Sequence, residues 1–288
     1  MPFAYYCSSP SGTRDFAVSP LATEAKVPQI VMAAGTSSIT ERSPYVVRTS
    51  FILAQSCTIM ADWALKNGIN KVVSMVSDFA PGIDAENFFK EIFLKGGGEI
   101  FEFIRTPFAN PDFAPFLQRA RDAKPDAVFV RQFLERGLDK AGIKIIGPGD
   151  VTDDDILNGT GDHVIGTVTA HFYSAYHPSP MNKDYVAAMR KANNGLRANY
   201  MSVGGYDGLH LVYEALKKTN GAIGGDALVA AMKGMAWESP CGPISIDPET
   251  RDIIQNVYMR RVEKVEGELY SVEFATFPNV KDPDKAKK

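Results

Sequence analysis

Several features that would point to a specialised class of protein are scarce in this sequence of 288 residues. Its three cysteines, Cys7, Cys57 and Cys241, lie far apart and form no CxxC pair, which argues against a zinc site and leaves their disulfide state open. The formal net charge is −3 and the pI is about 5.9, so no basic excess exists for nucleic acid or a membrane surface. No apolar run approaches the roughly 20 residues of a membrane-spanning helix. The N-terminus also lacks the basic and apolar regions of a signal peptide.

The common catalytic motifs are missing as well. The sequence contains no GxSxG, HExxH, Walker or GxGxxG motif, so we expect neither an enzyme nor a cofactor. The four histidines do not fall at metal-ligand spacing, and we expect no metal. The acidic run 153–155 permits a calcium interpretation. The favoured alternative is that Thr152 or Asp153 caps a helix that begins near Ile156.

Short apolar strands alternate with amphipathic helices along most of the chain. The apolar spacing predicts helices over residues 55–67, 84–95, 112–123, 132–137, 181–193, 202–219 and 226–233. Strands are predicted over residues 29–33, 71–76, 99–105, 126–130 and 143–146, with an antiparallel pair at 244–247 and 256–262. The repeated strand–helix units between residues 69 and 150 indicate an α/β fold with a parallel sheet flanked by helices.

The loops that follow the predicted strands are rich in hydroxyl, aromatic and glycine residues. They cover residues 8–11, 34–37, 77–82, 147–150 and 172–176. Ligands of parallel α/β sheets bind at the carboxyl ends of the strands. Hydroxyls and loop N–H groups suit a carboxylate, a carboxylate such as Asp150 suits an ammonium group, and aromatic rings suit an apolar body. These loops therefore indicate binding of a small zwitterion or organic acid rather than catalysis.

Seven short segments, taken in order and spacing, carry a family resemblance over nearly the whole chain. They are PLATEAKVP (20–28), AGTS (34–37), SPYVVRT (43–49), DFAPGID (78–84), ANPDF (109–113), KPDAV (124–128) and GYDG (205–208). In these segments the chain resembles the type I periplasmic substrate-binding proteins of ABC transporters, in the branched-chain amino-acid group. The resemblance implies a two-lobe fold of parallel sheets flanked by helices.

The resemblance also implies which residues hold the carboxylate of the ligand. A serine of the first matched loop falls on Ser8 or Ser9, and a threonine of the next loop falls on Thr36, with Ser37 beside it. The competing interpretation of Thr36 is a cap for the helical segment that follows it.

Two further positions follow from the resemblance, and one follows from residue type. An aromatic contact falls on Phe79, where the family often has tyrosine, and the acid that receives the ligand's ammonium group falls on Asp150. The competing interpretation of Asp150 is a cap for the turn over 152–157. Tyr173 is added because it lies in the aromatic-rich loop 172–176.

The implied function is an extracytoplasmic solute-binding protein of the periplasm. It would capture a branched-chain or other hydrophobic amino acid by hinge closure of two lobes and present it to the membrane permease of an ABC importer. We expect a monomer that binds no nucleic acid. One alternative is an aromatic or other organic acid as ligand, motivated by Phe79, Phe172, Tyr173 and Tyr176. The other is a ligand-sensing domain of a receptor.

The family topology predicts that each lobe is discontinuous. Lobe 1 is expected to comprise residues 1–47 and 177–237, and lobe 2 residues 48–176 and 238–288. Two departures from the family are expected: its first strand–helix units are missing before residue 1, and strand 126–130 runs into a helix with almost no loop.

Overall fold

The structure is a computed structural model that describes residues 13–107, 112–131 and 143–286. The helices are α1 (Thr13–Ala25), α2 (Leu53–Lys66), α3 (Ala80–Lys95), α4 (Ala114–Asp122), α5 (Leu157–Thr160), α6 (Pro180–Ala192), α7 (Tyr200–Lys218) and α8 (Gly225–Met232). The strands are β1 (Gln29–Val31), β2 (Val46–Arg48), β3 (Lys71–Ser77), β4 (Glu99–Thr106), β5 (Ala127–Arg131), β6 (Lys144–Pro148), β7 (Val168–His171), β8 (Ala236–Ser239), β9 (Gly242–Ile246), β10 (Ile253–Val265) and β11 (Glu268–Val280).

Most predicted helices are present, and local sequence signals explain their ends. Helix α7 begins with a capping box, in which the Ser202 amide donates to Asn199 Oδ1 and the Asn199 amide donates to Ser202 Oγ, both at 3.0 Å. Helix α6 begins after Ser179, whose hydroxyl accepts from the Asn182 amide. The helix predicted over 132–137 lies outside the described residues, and α1 was not predicted.

The chain forms two compact units, each built from separate stretches of sequence. Unit 1 comprises the chain up to Gln55, Pro178–Asn256 and the chain from Pro278 onward. Unit 2 comprises Ser56–His177 and Val257–Phe277. Compared with the predicted lobes, residues 48–55, 238–256 and 278–288 belong to unit 1, and His177 belongs to unit 2. The pairing of β9 with the first residues of β10 links the stretch 238–256 internally. The identification of the units with functional lobes stays a prediction.

Unit 1 contains a short parallel strand pair packed against helices. Strands β1 and β2 run parallel, with Ile30 opposite Val47, and all of their residues are buried. The apolar core of this unit combines these strands with α7 and α8, through Leu211 and Leu228 among others. The antiparallel strands β8 and β9 and the start of β10 complete it. The residues that follow β1 and β2 are thereby anchored on a buried framework.

Unit 2 is built on a parallel sheet in the order β4-β3-β5-β6-β7, and β10 adds to β7 in the antiparallel direction. Six of the seven residues of β3 are buried, as expected for a central strand covered on both faces. Beneath α3, the Phe89 ring stacks on Phe93 and Phe129 with centroid distances of 4.9 and 4.1 Å. The predicted parallel α/β arrangement is confirmed, and it places the loops after β3, β6 and β7 at one edge of the sheet.

No helix among the described residues combines the length and the apolar character needed to cross a membrane. Cys57 and Cys241 are both buried. Cys7 lies outside the described residues.

Candidate functional site

The loop that carries Thr36 in unit 1 leads from β1 into a 3-10 helix over Ser37–Arg42. Thr36 occupies the N-cap position with extended backbone angles, φ −73° and ψ 122°, yet its side chain makes no capping hydrogen bond. It is only partly buried. The competing cap interpretation is therefore not supported, and the Thr36 hydroxyl is not used by its own helix.

A buried arginine holds this loop in place. Arg48, at the end of β2, donates to the carbonyl oxygens of Thr36 at 2.6 Å and Phe51 at 3.3 Å, and also to that of Ala34. Its Nε lies 3.0 Å from Asp252 Oδ1, and both side chains are almost fully buried. A buried charge is stable only when it is paired and hydrogen-bonded, and Arg48 meets both conditions.

Ser37, the neighbour of Thr36, already has a partner within unit 1. Its hydroxyl donates to Asp282 Oδ1 at 3.2 Å, and the side chain is only 3% exposed. Burial and the nearby Asp252 raise the pKa of Asp282. Ser8 and Ser9, the other predicted carboxylate ligands, lie outside the described residues.

In unit 2, Phe79 lies where β3 passes into α3. It is the N-cap residue of α3, with extended backbone angles, and its ring is partly exposed. The turn is tight, because a Cβ at Gly82 would lie 2.2 Å from the Ser77 carbonyl oxygen. The glycine therefore lets the backbone fold closely enough to place Phe79 at the carboxyl end of β3.

Asp150 lies at the corresponding end of β6. It belongs to the first turn of a 3-10 helix over Gly149–Thr152 and is partly buried. The N-cap of this turn is Pro148, and the N-cap of α5 is Ile156. Asp150 is thus the N-cap of neither helix, and the competing interpretation of Asp150 as a cap for the turn over 152–157 gains no support from these ends.

The cap that was predicted at Thr152 or Asp153 is also not formed. The Thr152 hydroxyl instead contacts Gly149 O and Thr169 Oγ1, at 3.3 and 3.1 Å. Asp153 accepts from the Asp154 amide, and burial together with the adjacent Asp155 and Asp154 raises its pKa well above the usual range. These residues form part of the support beneath the β6 and β7 loops.

A second buried arginine, Arg260 of β10, joins the β6 and β7 loops. It donates to the carbonyl oxygen of Gly149 at 2.7 Å, to that of Tyr173, and to Thr152 Oγ1 and Thr169 Oγ1 at 3.3 and 3.1 Å. Complete burial lowers its pKa, while the carboxylates of Asp154 and Asp153 oppose that shift. Arg260 thus brings the backbone next to Asp150 close to the backbone of Tyr173.

The β7 loop is fixed at further points, and it carries Tyr173. The Ser174 hydroxyl donates to the Ser271 carbonyl oxygen at 2.6 Å, and the Ala175 amide donates to Asp154 Oδ2 at 2.9 Å. Tyr173 is fully buried, and its ring lies 6.5 Å from that of Phe172. The predicted aromatic loop is therefore an ordered and largely buried element.

The structure brings the predicted residues together in two groups. Thr36 and Ser37 share one loop of unit 1, and Asp150 and Tyr173 lie on two loops of unit 2 that Arg260 connects. Sequence reasoning missed Arg48 and Arg260. Their only signal was a charged residue within a buried strand. Among the described residues, no three His, Cys, Asp or Glu side chains are arranged to hold a metal ion.

Comparison with known proteins gives these loops a family context. Residues 9–267 match the family described as periplasmic binding protein. A solved solute-binding protein of an ABC transporter from Rhodopseudomonas palustris BisB5, in complex with 3,4-dihydroxybenzoic acid, is 66% identical. That likeness covers 94% of this chain and 77% of that one, with a TM-score of 0.90.

Two further relatives extend the comparison. A solute-binding protein from R. palustris in complex with 4-hydroxybenzoate is 39% identical over 100% of this chain and 81% of its own, with a TM-score of 0.93. The Leu/Ile/Val-binding protein homolog 6 of Brucella abortus (strain 2308) is 43% identical over 93% of this chain and 72% of its own length. The family implies an extracytoplasmic location and binding of a small molecule. The chain belongs to the periplasmic binding protein family and is a solute-binding protein of the ABC-transporter type.

Proposed function

We propose that this solute-binding protein captures a hydroxylated aromatic carboxylate, of the hydroxybenzoate class, in the periplasm and delivers it to the permease of an ABC importer. The observation that carries the proposal is the 66% identity to a protein solved with 3,4-dihydroxybenzoic acid. The relative named for leucine, isoleucine and valine is 43% identical. The aromatic alternative therefore takes precedence over the branched-chain amino acid as the ligand.

The residues of the unit 2 loops support an aromatic ligand. Phe79 offers a partly exposed ring without a hydroxyl, and Phe172 and Tyr173 make the β7 loop aromatic. Pairs of aromatic rings contribute about 0.5–1.5 kcal/mol beyond the area that they bury. In this proposal Phe79 and Tyr173 contribute to the selection of a ring over an aliphatic side chain.

Thr36 is proposed to bind the ligand's carboxylate, and Ser8, Ser9 and Ser37 are proposed as further hydroxyl ligands. Its hydroxyl makes no capping bond, and Arg48 holds its backbone. A hydrogen bond to a charged group contributes about 1.5–3 kcal/mol. Thr36→Val should thus weaken benzoate binding roughly 10- to 100-fold. Thr160→Val, a change of the same kind in α5, is the matched control and should leave the affinity within a factor of about two.

Asp150 is proposed to accept a hydrogen bond from a ring hydroxyl of the ligand. Benzoates have no ammonium group, so its carboxylate would bind the phenolic O–H instead. Asp150→Asn should weaken 4-hydroxybenzoate by about tenfold and leave unsubstituted benzoate nearly unchanged. Asp184→Asn removes an exposed acid of α6 and is the control for the change in net charge.

Isothermal titration calorimetry of the full chain tests the ligand class directly. The panel contains benzoate, 4-hydroxybenzoate, 3,4-dihydroxybenzoate, leucine, isoleucine and valine. The proposal expects the hydroxybenzoates to bind most tightly and the three amino acids to bind at least about 100-fold more weakly. Tighter binding of leucine, together with its loss in Asp150→Asn, would instead establish the amino-acid function.

A further inference from the structure

A cavity lies in unit 2, away from the loops described above. Its volume is about 290 Å³, and it is lined by Trp63, Asn67, Ile69, Lys144, Ile146, Gly166, Val168 and Arg261. Lys144 begins β6, Val168 begins β7, and Ile69 lies two residues before β3. These strands are parallel within one sheet, so the cavity lies at their amino ends. Phe79, Asp150 and Tyr173 follow the carboxyl ends of the same strands.

The lining combines an apolar floor with an aromatic wall. Ile69 and Ile146 are 1% exposed, and Val168 is 9% exposed. Trp63 is partly exposed and meets the Phe274 ring edge-on at a centroid distance of 5.9 Å. Gly166 leaves space on its side of the cavity, because no atom lies within 4 Å of where its Cβ would be. Such a lining suits a flat apolar group.

Two positively charged side chains, those of Lys144 and Arg261, line the same cavity. The Arg261 guanidinium lies 4.9 Å from the Phe274 ring centroid, which orients it, and its ion pair with Glu263 is a loose contact of 3.9 Å. Lys144 is exposed, and no ion pair is found for it among the described residues. An anionic group at the rim would therefore meet two positive charges without displacing a strong internal partner.

We propose that this cavity is a second ligand site that binds a one-ring aromatic carboxylate. Its volume exceeds the roughly 150 Å³ of an engineered protein cavity that binds benzene, and it lies near the lower end of known ligand pockets. The ring lies over Ile146 and Val168 beside the Trp63 indole, and the carboxylate pairs with Lys144 and Arg261. The site is independent of the ligand that the Thr36 and Asp150 loops bind.

The two tryptophans of the chain make the site directly observable. In ¹⁵N-labelled protein each indole N–H gives one NMR signal, and Trp63→Phe identifies the signal of Trp63. Benzoate should shift this signal saturably, and rising salt should weaken the effect. Lys144→Gln and Arg261→Gln should each weaken the response about three- to tenfold. Lys66→Gln changes an exposed lysine of the helix that carries Trp63, outside the lining, and as the matched control it should change nothing.

Two probes define the ligand class, and one variant separates the two sites. Acetate lacks the ring and benzyl alcohol lacks the charge, so both should shift the Trp63 signal far less than benzoate does. The response should persist in Thr36→Val, whatever that variant does to the other site. An unshifted Trp63 signal, an equal response in Lys144→Gln, or loss of the response in Thr36→Val would each overturn the second site. If only the hydroxybenzoate proposal is wrong, benzoate should still shift the Trp63 signal, and Lys144→Gln should still weaken that shift.

Discussion

A buried carboxyl group in unit 1 should make the stability of this protein depend on pH in a defined direction. Asp207 of α7 is 0% exposed and accepts hydrogen bonds from Trp237 Nε1 at 3.0 Å and Ser239 Oγ at 2.7 Å. Burial raises its pKa from 3.8 to about 7, and the two hydrogen bonds oppose the shift. The folded state thus binds the Asp207 proton more tightly than the unfolded state does.

The sign of the effect follows from this difference in proton affinity. The stability due to the bound proton is fully present below pH 3.8 and is lost as the pH rises to about 7. Each unit of pKa shift corresponds to about 1.4 kcal/mol, so the loss between pH 5 and pH 8 is on the order of 3 kcal/mol. An asparagine side chain in place of Asp207 would keep an acceptor for Trp237, and its amide could donate to the Ser239 hydroxyl. Asp207→Asn should therefore remove most of this pH dependence without disrupting the packing.

Urea unfolding at pH 5 and pH 8 measures the effect. We expect the free energy of unfolding of the wild type to fall by about 3 kcal/mol more than that of Asp207→Asn over this interval. Asp184→Asn, which removes an exposed acid, should behave as the wild type does. Other acids also have raised pKa values, such as Asp15 with a pKa of about 6. Their contributions to the pH dependence cancel in the comparison because every variant retains them. Equal pH dependence in wild type and Asp207→Asn would refute the reasoning.

Two further substitutions test the framework of the loops, each by chemical denaturation. Arg260→Met leaves the carbonyl oxygens of Gly149 and Tyr173 without their charged donor and should lower the free energy of unfolding by about 3–5 kcal/mol. Gly204→Ala would place a Cβ 2.1 Å from the Met32 carbonyl oxygen and should destabilise by about 1–3 kcal/mol. The neighbouring Gly205→Ala has open space and should be neutral or slightly stabilising, so an equal cost in both variants would contradict the close contact at Gly204.

The elements that sequence reasoning located are those whose signals are local. Helix α7 has an apolar stripe and a capping box within its own residues, and α3 ends at a run of three glycines, so both could be predicted. Helix α1 was missed because Pro20 lies within it and its apolar residues follow no clear stripe. The alternation of strands and helices predicted the loops that contain Thr36, Phe79 and Asp150, whereas the choice of these three residues within the loops came from the family resemblance.

The contacts that sequence reasoning missed depend on residues far apart in the chain. Arg260 binds the Gly149 carbonyl across 111 positions, and Arg48 pairs with Asp252 across 204 positions. The local sequence shows only a charged residue within an apolar strand, and this signal does not identify the distant partner of the arginine. The cap predicted at Thr152 or Asp153 is absent for a similar reason. The Thr152 hydroxyl accepts a hydrogen bond from Arg260, which is distant in sequence, and the N-cap of α5 is Ile156.

The two buried arginines hold the backbones that carry the two groups of candidate residues. Where a loop leaves the end of a buried strand, its backbone no longer pairs with the neighbouring strand. Its carbonyl oxygens therefore need other hydrogen-bond donors. The planar guanidinium of Arg48 reaches the carbonyls of Ala34 and Thr36 together, and that of Arg260 reaches those of Gly149 and Tyr173. A lysine would present one point charge and could not hold two divergent backbones in the same way. Because the arginines fix the loop backbones, the proposed binding by the Thr36 and Asp150 side chains would cost little free energy for ordering the loops.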